Sequence, residues 1–187
     1  MSDRRRLALL EQHGLLTDTP EEAFDRYTRL AAAILDAPVA LFTVIVGPEQ
    51  RFRSQFGLEE PLATERRTPL SHSFCQYVVL SGAPLVVEDA REDPTTRGNP
   101  AIEDLGILAY LGMPLMTRKG ECLGSLCGID HEPRSWSAAD RAALKDLAAT
   151  TVNELELRRT TRDAVEFAAQ LEAKLRGLKP SHTGRAG

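Results

Sequence analysis

Three cysteines, Cys75, Cys122 and Cys127, are the side chains of this sequence best suited to covalent or redox chemistry. A cysteine reacts as its thiolate, which needs a nearby cation or helix N-terminus to lower the thiol pKa. His72 lies three residues before Cys75 and would stand one turn away if this segment is helical. Cys75 is therefore the first candidate for binding a ligand, attaching a chromophore or being oxidised. The competing interpretation is a small apolar side chain of the core, which is the usual place of a free cysteine.

A thiol reductase needs a second thiol within disulfide reach of the first. Cys122 and Cys127 belong to one predicted strand, in which five residues span about 16 Å. Any reactive pair must therefore include Cys75. Together with His72, the cysteines have the ligand types of a zinc site, but neither pair has the tight spacing that structural zinc sites use. We expect no metal, and the sequence identifies no cofactor.

The composition is that of an ordinary globular chain, with 42% apolar and 27% charged residues among 187. A net charge of −4 gives no attractive field for nucleic acid, and 5% aromatic residues supply no stacking surface for single strands. No apolar run reaches the ~18 residues of a membrane span. The N-terminus contains Arg4, Arg5 and Arg6 but lacks the apolar core and cleavage site of a signal peptide. We expect one cytoplasmic domain with neither nucleic acid nor membrane as a partner.

The elements that must position these residues begin with two helices and a hairpin. Residues 3–13 form a helix candidate that Gly14 ends. Thr19 precedes Pro20 and Glu22 in a capping-box pattern, and apolar residues at helical spacing continue to about residue 35. Residues 39–46 and 51–56 predict a β-hairpin, whereas residues 58–69 are a polar connection without a clear period.

The middle of the chain predicts short elements. Residues 71–81 are ambiguous but compatible with a short helix that Gly82 would end. A short strand follows at 85–87, and Asn99 with Pro100 predicts a capped helix to about residue 105. Residues 107–115 and 121–129 predict two strands. Strands between terminal helices indicate an α+β fold with helices on one sheet face.

The last segment predicts one long helix. Ser137 and Asp140 form a second capping-box pattern, and no Gly or Pro follows until Gly177. Its residues repeat at alternating spacings of three and four, which is typical of a heptad seam that pairs helices. This heptad seam consists of Leu147, Thr150, Glu154, Leu157, Thr161, Ala164, Ala168, Leu171, Leu175 and Leu178.

An ordered set of short motifs runs through the chain. They include Thr19-Pro20-Glu21-Glu22-Ala23-Phe24, Ser73-Phe74-Cys75, Asp93-Pro94, Tyr110-x-Gly112-x-Pro114 and Leu123-Gly124-Ser125-Leu126-Cys127. With this set, about residues 15–156 resemble the GAF domain family, in particular the GAF domains ahead of bacterial sensor kinases and cyclic-dinucleotide enzymes. The resemblance implies a six-stranded antiparallel sheet with terminal helices packed on one face. On the other face it implies short helices over a small-molecule pocket.

The resemblance also places the ligand. It implies a pocket between the sheet and residues 71–80 and 99–105, with Phe74, Cys75 and Tyr110 as walls and His72 beside them. Bilin-binding relatives attach their chromophore to a Cys that His commonly follows, but Gln76 follows Cys75 here. The Asn-Lys…Phe…Asp-Glu signature of cyclic-nucleotide-binding relatives is also absent. The ligand is therefore an unidentified small molecule.

The implied function is a sensory or regulatory module of bacterial signal transduction without catalysis of its own. One alternative is a thiol reductase such as a free methionine sulfoxide reductase, and a further one is a ligand-free interaction module. We expect four segments: an N-terminal helix (1–16), the GAF domain (17–156), a heptad helix (157–178) and a disordered tail (179–187).

The expected partner is a second copy of the chain. We expect a parallel homodimer whose four-helix interface uses residues 3–13 and 140–165 of each subunit, because the seam alone is weak. Leu7, Leu10, Leu15 and Leu16 would add apolar surface to it. Such a dimer could act on an output domain or a partner kinase.

Overall fold

A six-stranded antiparallel sheet is the centre of the computed structural model, which describes residues 3–17 and 19–177. The strands lie in the order β3-β2-β1-β6-β5-β4. Their bounds are β1 (Val39–Val46), β2 (Glu49–Phe56), β3 (Arg67–Pro69), β4 (Leu85–Val87), β5 (Ala109–Met116) and β6 (Cys122–Asp130). The helices are α1 (Asp3–Gln12), α2 (Glu22–Leu35), α3 (Leu62–Glu65), α4 (Cys75–Ser81), α5 (Ala101–Asp104) and α6 (Ala138–Gly177), and a 3-10 turn covers Leu70–His72. The expected α+β architecture is confirmed.

Two apolar layers hold the sheet, one on each face. On the first face, α1, α2 and α6 pack against side chains such as Phe42, Leu111 and Leu126. On the second face, α4 and α5 cover Leu41, Tyr110 and Cys127 of the same strands. Successive residues of a strand point to opposite faces. Strand β1 is apolar almost throughout because both of its faces are covered.

Helix boundaries follow local signals in most places. The Ser137 N–H donates to Asp140 Oδ2 at 2.8 Å and the Asp140 N–H donates to Ser137 Oγ at 3.1 Å, which confirms the predicted capping box of α6. Gly82 ends α4 in the left-handed conformation, with φ of 63°. Asn99 Oδ1 accepts a hydrogen bond from the Ala101 N–H at 3.0 Å, at the start of α5.

Three predictions are wrong. Thr19 does not cap α2, because that helix begins at Glu22 with Glu21 as its N-cap residue. Residues 58–69 are not a plain connection, since they contain α3 and the edge strand β3. Leu10 and Leu15 add no surface for a dimer, because both are fully buried in the core of their own chain.

The long helix α6 divides into a packed part and a projecting part. Leu144, Ala148, Val152 and Leu155 are buried against the sheet and α2. From Thr160 to Arg176 every residue is exposed, including seam residues of the heptad pattern. Leu178 and the tail 179–187 lie outside the described residues.

Candidate functional site

Two buried thiols meet beneath α4. Cys75 Sγ at the start of α4 lies 3.7 Å from Cys127 Sγ on β6. The two residues are 1% and 0% exposed. Cys122, on the same strand as Cys127, is less buried, and its thiol donates to the Gly124 carbonyl oxygen at 3.3 Å. The pair therefore includes Cys75, as the strand geometry predicts.

Tyr110 supplies the third group of this cluster. Its hydroxyl donates to Cys75 Sγ at 3.3 Å and lies 3.4 Å from Ser125 Oγ. The Tyr110 ring lies over Gly112, two residues further along β5, so closely that a Cβ there would collide with the ring. Gly112 also pairs with Cys127 across the sheet. The absence of a side chain at Gly112 is what lets the tyrosine hydroxyl reach the thiols.

Two further hydroxyls complete the surroundings of Cys75. Thr43 on β1 and Ser125 on β6 face each other across the two central strands. Both are fully buried. The Thr43 hydroxyl has no hydrogen-bond partner in the structure, yet it acts on the pKa of Cys75. A buried hydroxyl without a partner is costly, and a negatively charged sulfur beside it would provide an acceptor.

The environment separates the acidities of the two thiols. Burial raises the pKa of Cys75, but the hydrogen bonds with Cys127 and Tyr110 and the neighbouring hydroxyls of Thr43 and Ser125 outweigh it and lower the pKa to about 7. Burial and the neighbouring Cys75 raise the pKa of Cys127 well above its ordinary value. The pair therefore loses one proton readily, and the second thiol remains as a donor to the first.

The turn that carries Cys75 is fastened by polar side chains. The Ser73 hydroxyl donates to Gln50 Oε1 of β2 and accepts a hydrogen bond from the Gln76 N–H at 3.0 Å. The Asn99 side-chain amide donates to the Ser73 carbonyl oxygen at 3.3 Å. These contacts hold the entry into α4 against β2 and the start of α5, and thereby place Cys75 over the sheet.

The predicted pocket residues separate into two groups. Phe74, Cys75 and Tyr110 come together, with Phe74 edge-on to Tyr110 at a centroid distance of 5.6 Å. All three are at most 2% exposed and belong to the second apolar layer. His72 instead binds Asp104 of α5, with Nε2 2.9 Å from Oδ2. Ligand binding at this place stays a prediction, and an occupant would have to displace closely packed side chains.

The roles of Ser125, Thr43 and Gly112, and the choice of Cys127 as the partner of Cys75, were not predicted from the sequence. The spacing Ser125-x-Cys127 was a usable signal, because two residues apart in a strand share a face. The face they share, and its apposition to α4, depend on tertiary structure.

A separate apolar groove of about 520 Å³ lies between α6 and strands β4 and β5. It is on the sheet face that the terminal helices cover, not on the face predicted for the ligand. Its walls are Pro84, Val86, Met113, Pro114, Met116, Arg141, Ala142, Lys145, Ala148, Ala149 and Val152.

Two features are absent from residues 3–17 and 19–177. No three His, Cys, Asp or Glu side chains of this part gather as a metal cluster. No helix in it combines the length and the hydropathy needed to cross a bilayer.

Comparison with known proteins gives consistent matches. The family model described as "GAF domain" matches residues 19–155. A cyclic di-GMP phosphodiesterase of Pseudomonas aeruginosa is 35% identical over 161 residues, which are 85% of this chain and 27% of that protein. The chain thus spans about a quarter of the length of this relative.

Solved structures agree on the fold. The GAF domain of a phosphoenolpyruvate-protein phosphotransferase from Coxiella burnetii superposes with a TM-score of 0.63 at 19% identity, covering 87% of this chain and 99% of that one. A free methionine-R-sulfoxide reductase from Neisseria meningitidis, solved with its substrate, superposes with a TM-score of 0.61 at 17% identity, covering 85% and 91%. At these identities the likeness concerns the fold alone.

Proposed function

The chain belongs to the GAF domain family, and from this membership we propose that it is a cytoplasmic regulatory module of bacterial signal transduction. In this proposal the domain senses a small molecule and passes the signal through α6 of a parallel homodimer. The output is a covalently linked domain or a partner kinase. The module has no catalytic activity of its own.

The observation that carries this proposal is the exposed apolar stripe of α6. Leu157, Leu171 and Leu175 are 63%, 48% and 57% exposed. At 100° per residue they lie on one narrow stripe with Thr161, Ala164 and Ala168. Val165 and Phe167, 63% and 68% exposed, flank the stripe on its two sides. Exposed apolar residues in this pattern favour burial against a second helix.

The structure supports a dimer made mainly by α6 rather than by four equal helices. Leu9 and Leu10 of α1 face their own core. Helix α1 is joined to α6 of the same chain, where the Arg162 guanidinium donates to the Gln12 carbonyl oxygen. Helix α1 therefore packs beside α6 of its own chain, and the exposed heptad stripe of α6 is left to contact the partner.

Sedimentation equilibrium of the full chain at tens of micromolar tests the dimer. We expect a dimer for the natural sequence and a monomer for the double variant Leu157→Glu, Leu171→Glu, whose positions are exposed and should leave the fold intact. The matched control is the double variant Ala169→Glu, Ala173→Glu, which adds the same charge on another side of the exposed helix and should remain dimeric. A monomeric natural chain at this concentration would contradict the proposal.

Native mass spectrometry of the chain purified from its host tests the sensing role. A bound small molecule appears as mass above that of the sequence. A mass equal to the sequence mass in every preparation would favour the alternative of a ligand-free interaction module.

A second candidate function is a small thiol reductase, favoured by the contact between Cys75 and Cys127. Such an enzyme would reduce methionine sulfoxide, with one thiol attacking and the other resolving. Incubation of the chain with free methionine sulfoxide and dithiothreitol separates the two functions. Turnover that disappears in Cys75→Ser would favour the reductase, whereas our proposal expects none above the rate without protein.

A further inference from the structure

The thiols of Cys75 and Cys127 point to a site of covalent modification. We propose that these two cysteines form an oxidisable dithiol, which closes to an intramolecular disulfide when a hydroperoxide reaches it and reopens in the presence of a small thiol. This proposal does not depend on dimerisation or on ligand binding, because both thiols belong to one chain.

The geometry requires only a small movement. A disulfide needs a sulfur–sulfur distance of about 2.05 Å, so the present 3.7 Å must shorten by about 1.7 Å. Cys127 lies on β6, which is held between β1 and β5 by strand pairing. Cys75 begins α4, in which Cys75 and Val78 are the buried residues and Leu80 is 80% exposed. The movement therefore belongs to α4, which is short and covered on one side only.

The surroundings favour a thiolate on Cys75 and a thiol on Cys127. Hydroxyl groups of Tyr110, Ser125 and Thr43 converge on Cys75 and stabilise its negative charge. The same geometry leaves the proton on Cys127, which lies in contact distance of the sulfur that it would attack. One cysteine is thus prepared as the attacking group and the other as the resolving group.

The reaction balances in two steps. The Cys75 thiolate attacks the terminal oxygen of the hydroperoxide, so that an S–O bond forms, the O–O bond breaks and an alcohol (water for hydrogen peroxide) leaves after taking up a proton. The Cys127 sulfur then attacks the sulfenic sulfur of Cys75. An S–S bond forms, the S–O bond breaks, and the hydroxyl leaves as water with the Cys127 proton. The two sulfurs lose two electrons in total, and the peroxide gains them.

Burial selects the oxidant by size. The pair lies beneath Phe74 and α4 and is at most 1% exposed. A hydroperoxide of few atoms can enter through local opening of a short surface helix, while a bulky reagent needs a wider opening. Small hydroperoxides are therefore the class of oxidant that this site admits.

Formation of the disulfide would covalently connect two elements that are only in contact in the reduced chain. The new bond would tie α4 to β6, and β6 leads directly to Trp136 and the start of α6. It would also weaken the hydrogen bond that the Tyr110 hydroxyl donates to Cys75, because a disulfide sulfur carries no negative charge. The oxidised and reduced chains would thus differ at the base of the long helix.

Peptide mapping tests the site in the full chain. After reduction, removal of the reductant and treatment with hydrogen peroxide, we expect a loss of two hydrogens in the intact mass and a linked peptide pair containing Cys75 and Cys127. Dithiothreitol should restore the original mass. The matched control Cys122→Ser should behave like the natural chain, whereas Cys75→Ser and Cys127→Ser should each abolish the intramolecular bond.

Any other product overturns the proposal. This holds for a disulfide that involves Cys122, for a bond between chains, for oxygen addition at Cys75 without a disulfide, and for an unchanged mass. The same measurement on the double variant Leu157→Glu, Leu171→Glu separates this proposal from the proposed dimer, since disulfide formation should be equal in a monomer. Circular dichroism of each variant verifies that it is folded.

Discussion

Tyr110 lies across Gly112 on the same face of strand β5, and this close approach brings the tyrosine hydroxyl to the Cys75 thiol. The two residues are the Tyr-x-Gly part of a sequence motif, and the structure gives the motif a physical reason. A side chain at Gly112 would occupy the space of the Tyr110 ring. The glycine therefore determines where the hydroxyl is located.

Gly112→Ala should destabilise the fold by about 1–3 kcal/mol, because the added methyl group overpacks a buried site and pushes the tyrosine aside. Urea denaturation measures the change in the free energy of unfolding. Gly98→Ala is the control, since a Cβ at Gly98 meets no atom within 4 Å. Equal stability of the two variants would contradict the close approach described above.

Tyr110→Phe should raise the pKa of Cys75 above about 7, because the variant keeps the ring but removes one of the donors to the sulfur. Titration of the rate at which a small alkylating reagent modifies Cys75 measures this pKa. We expect a loss of stability of about 1 kcal/mol, typical of one hydrogen bond. Tyr77→Phe serves as the control. An unchanged Cys75 pKa in Tyr110→Phe would show that the hydroxyl does not act on the thiol.

Disulfide formation should become faster as the pH rises through about 7. The folded chain lowers the pKa of Cys75 to that value, so the reactive thiolate is the minor form below it and the major form above it. The groups that face Cys75 are Cys127, Tyr110, Ser125 and Thr43, and the pKa values of Cys127 and Tyr110 are raised well above their ordinary values. The rate should therefore reach a plateau near pH 8. Peroxide oxidation followed by thiol quantification between pH 5 and pH 9, values chosen to bracket the ordinary thiol range, measures the profile. A rate independent of pH would contradict the assignment of Cys75 as the attacking group.

Glu21→Gln should destabilise the chain by about 1–3 kcal/mol, because this carboxylate joins three elements. Its oxygens lie 2.9 Å from Arg53 of β2 and 2.7 Å from Arg158 of α6, and the Arg53 side chain is 4% exposed. Glu22→Gln is the control, since the ion pair of Glu22 with Arg29 is largely exposed and should contribute little to stability. Thermal and urea denaturation compare the two variants. If Glu22→Gln lost as much stability as Glu21→Gln, the larger contribution assigned to Glu21 would be contradicted.

Local sequence signals predicted the long elements because their causes are local. The hydrogen bonds between Ser137 and Asp140 that cap α6 join residues three positions apart. Gly82 directly follows Ser81, the last residue of α4. Strand β3 escaped prediction, since an edge strand of three residues, Arg67–Pro69, is too short to show a period. Thr19 failed as a cap because Glu21 takes that position while it binds arginines from distant elements.

Only part of the candidate site could be predicted, because some of its contacts depend on tertiary structure. Phe74, Cys75 and Tyr110 follow from the family resemblance, and the structure brings them together. The contact between Cys75 and Cys127 joins residues 52 positions apart, and it exists only because α4 lies over the centre of the sheet. His72 could not be placed by its spacing from Cys75, because the 3-10 turn that carries it ends before α4 begins.

Because α6 is one continuous helix, a movement at its packed end is transmitted to its exposed end. Between Thr160 and Arg176 the helix extends about 25 Å beyond its packed part. A tilt of about 10° at the packed end would therefore displace the far end sideways by about 4 Å. A change in the tilt of α6 where it leaves the domain thus becomes a sideways displacement that grows along the exposed part and is largest near Arg176.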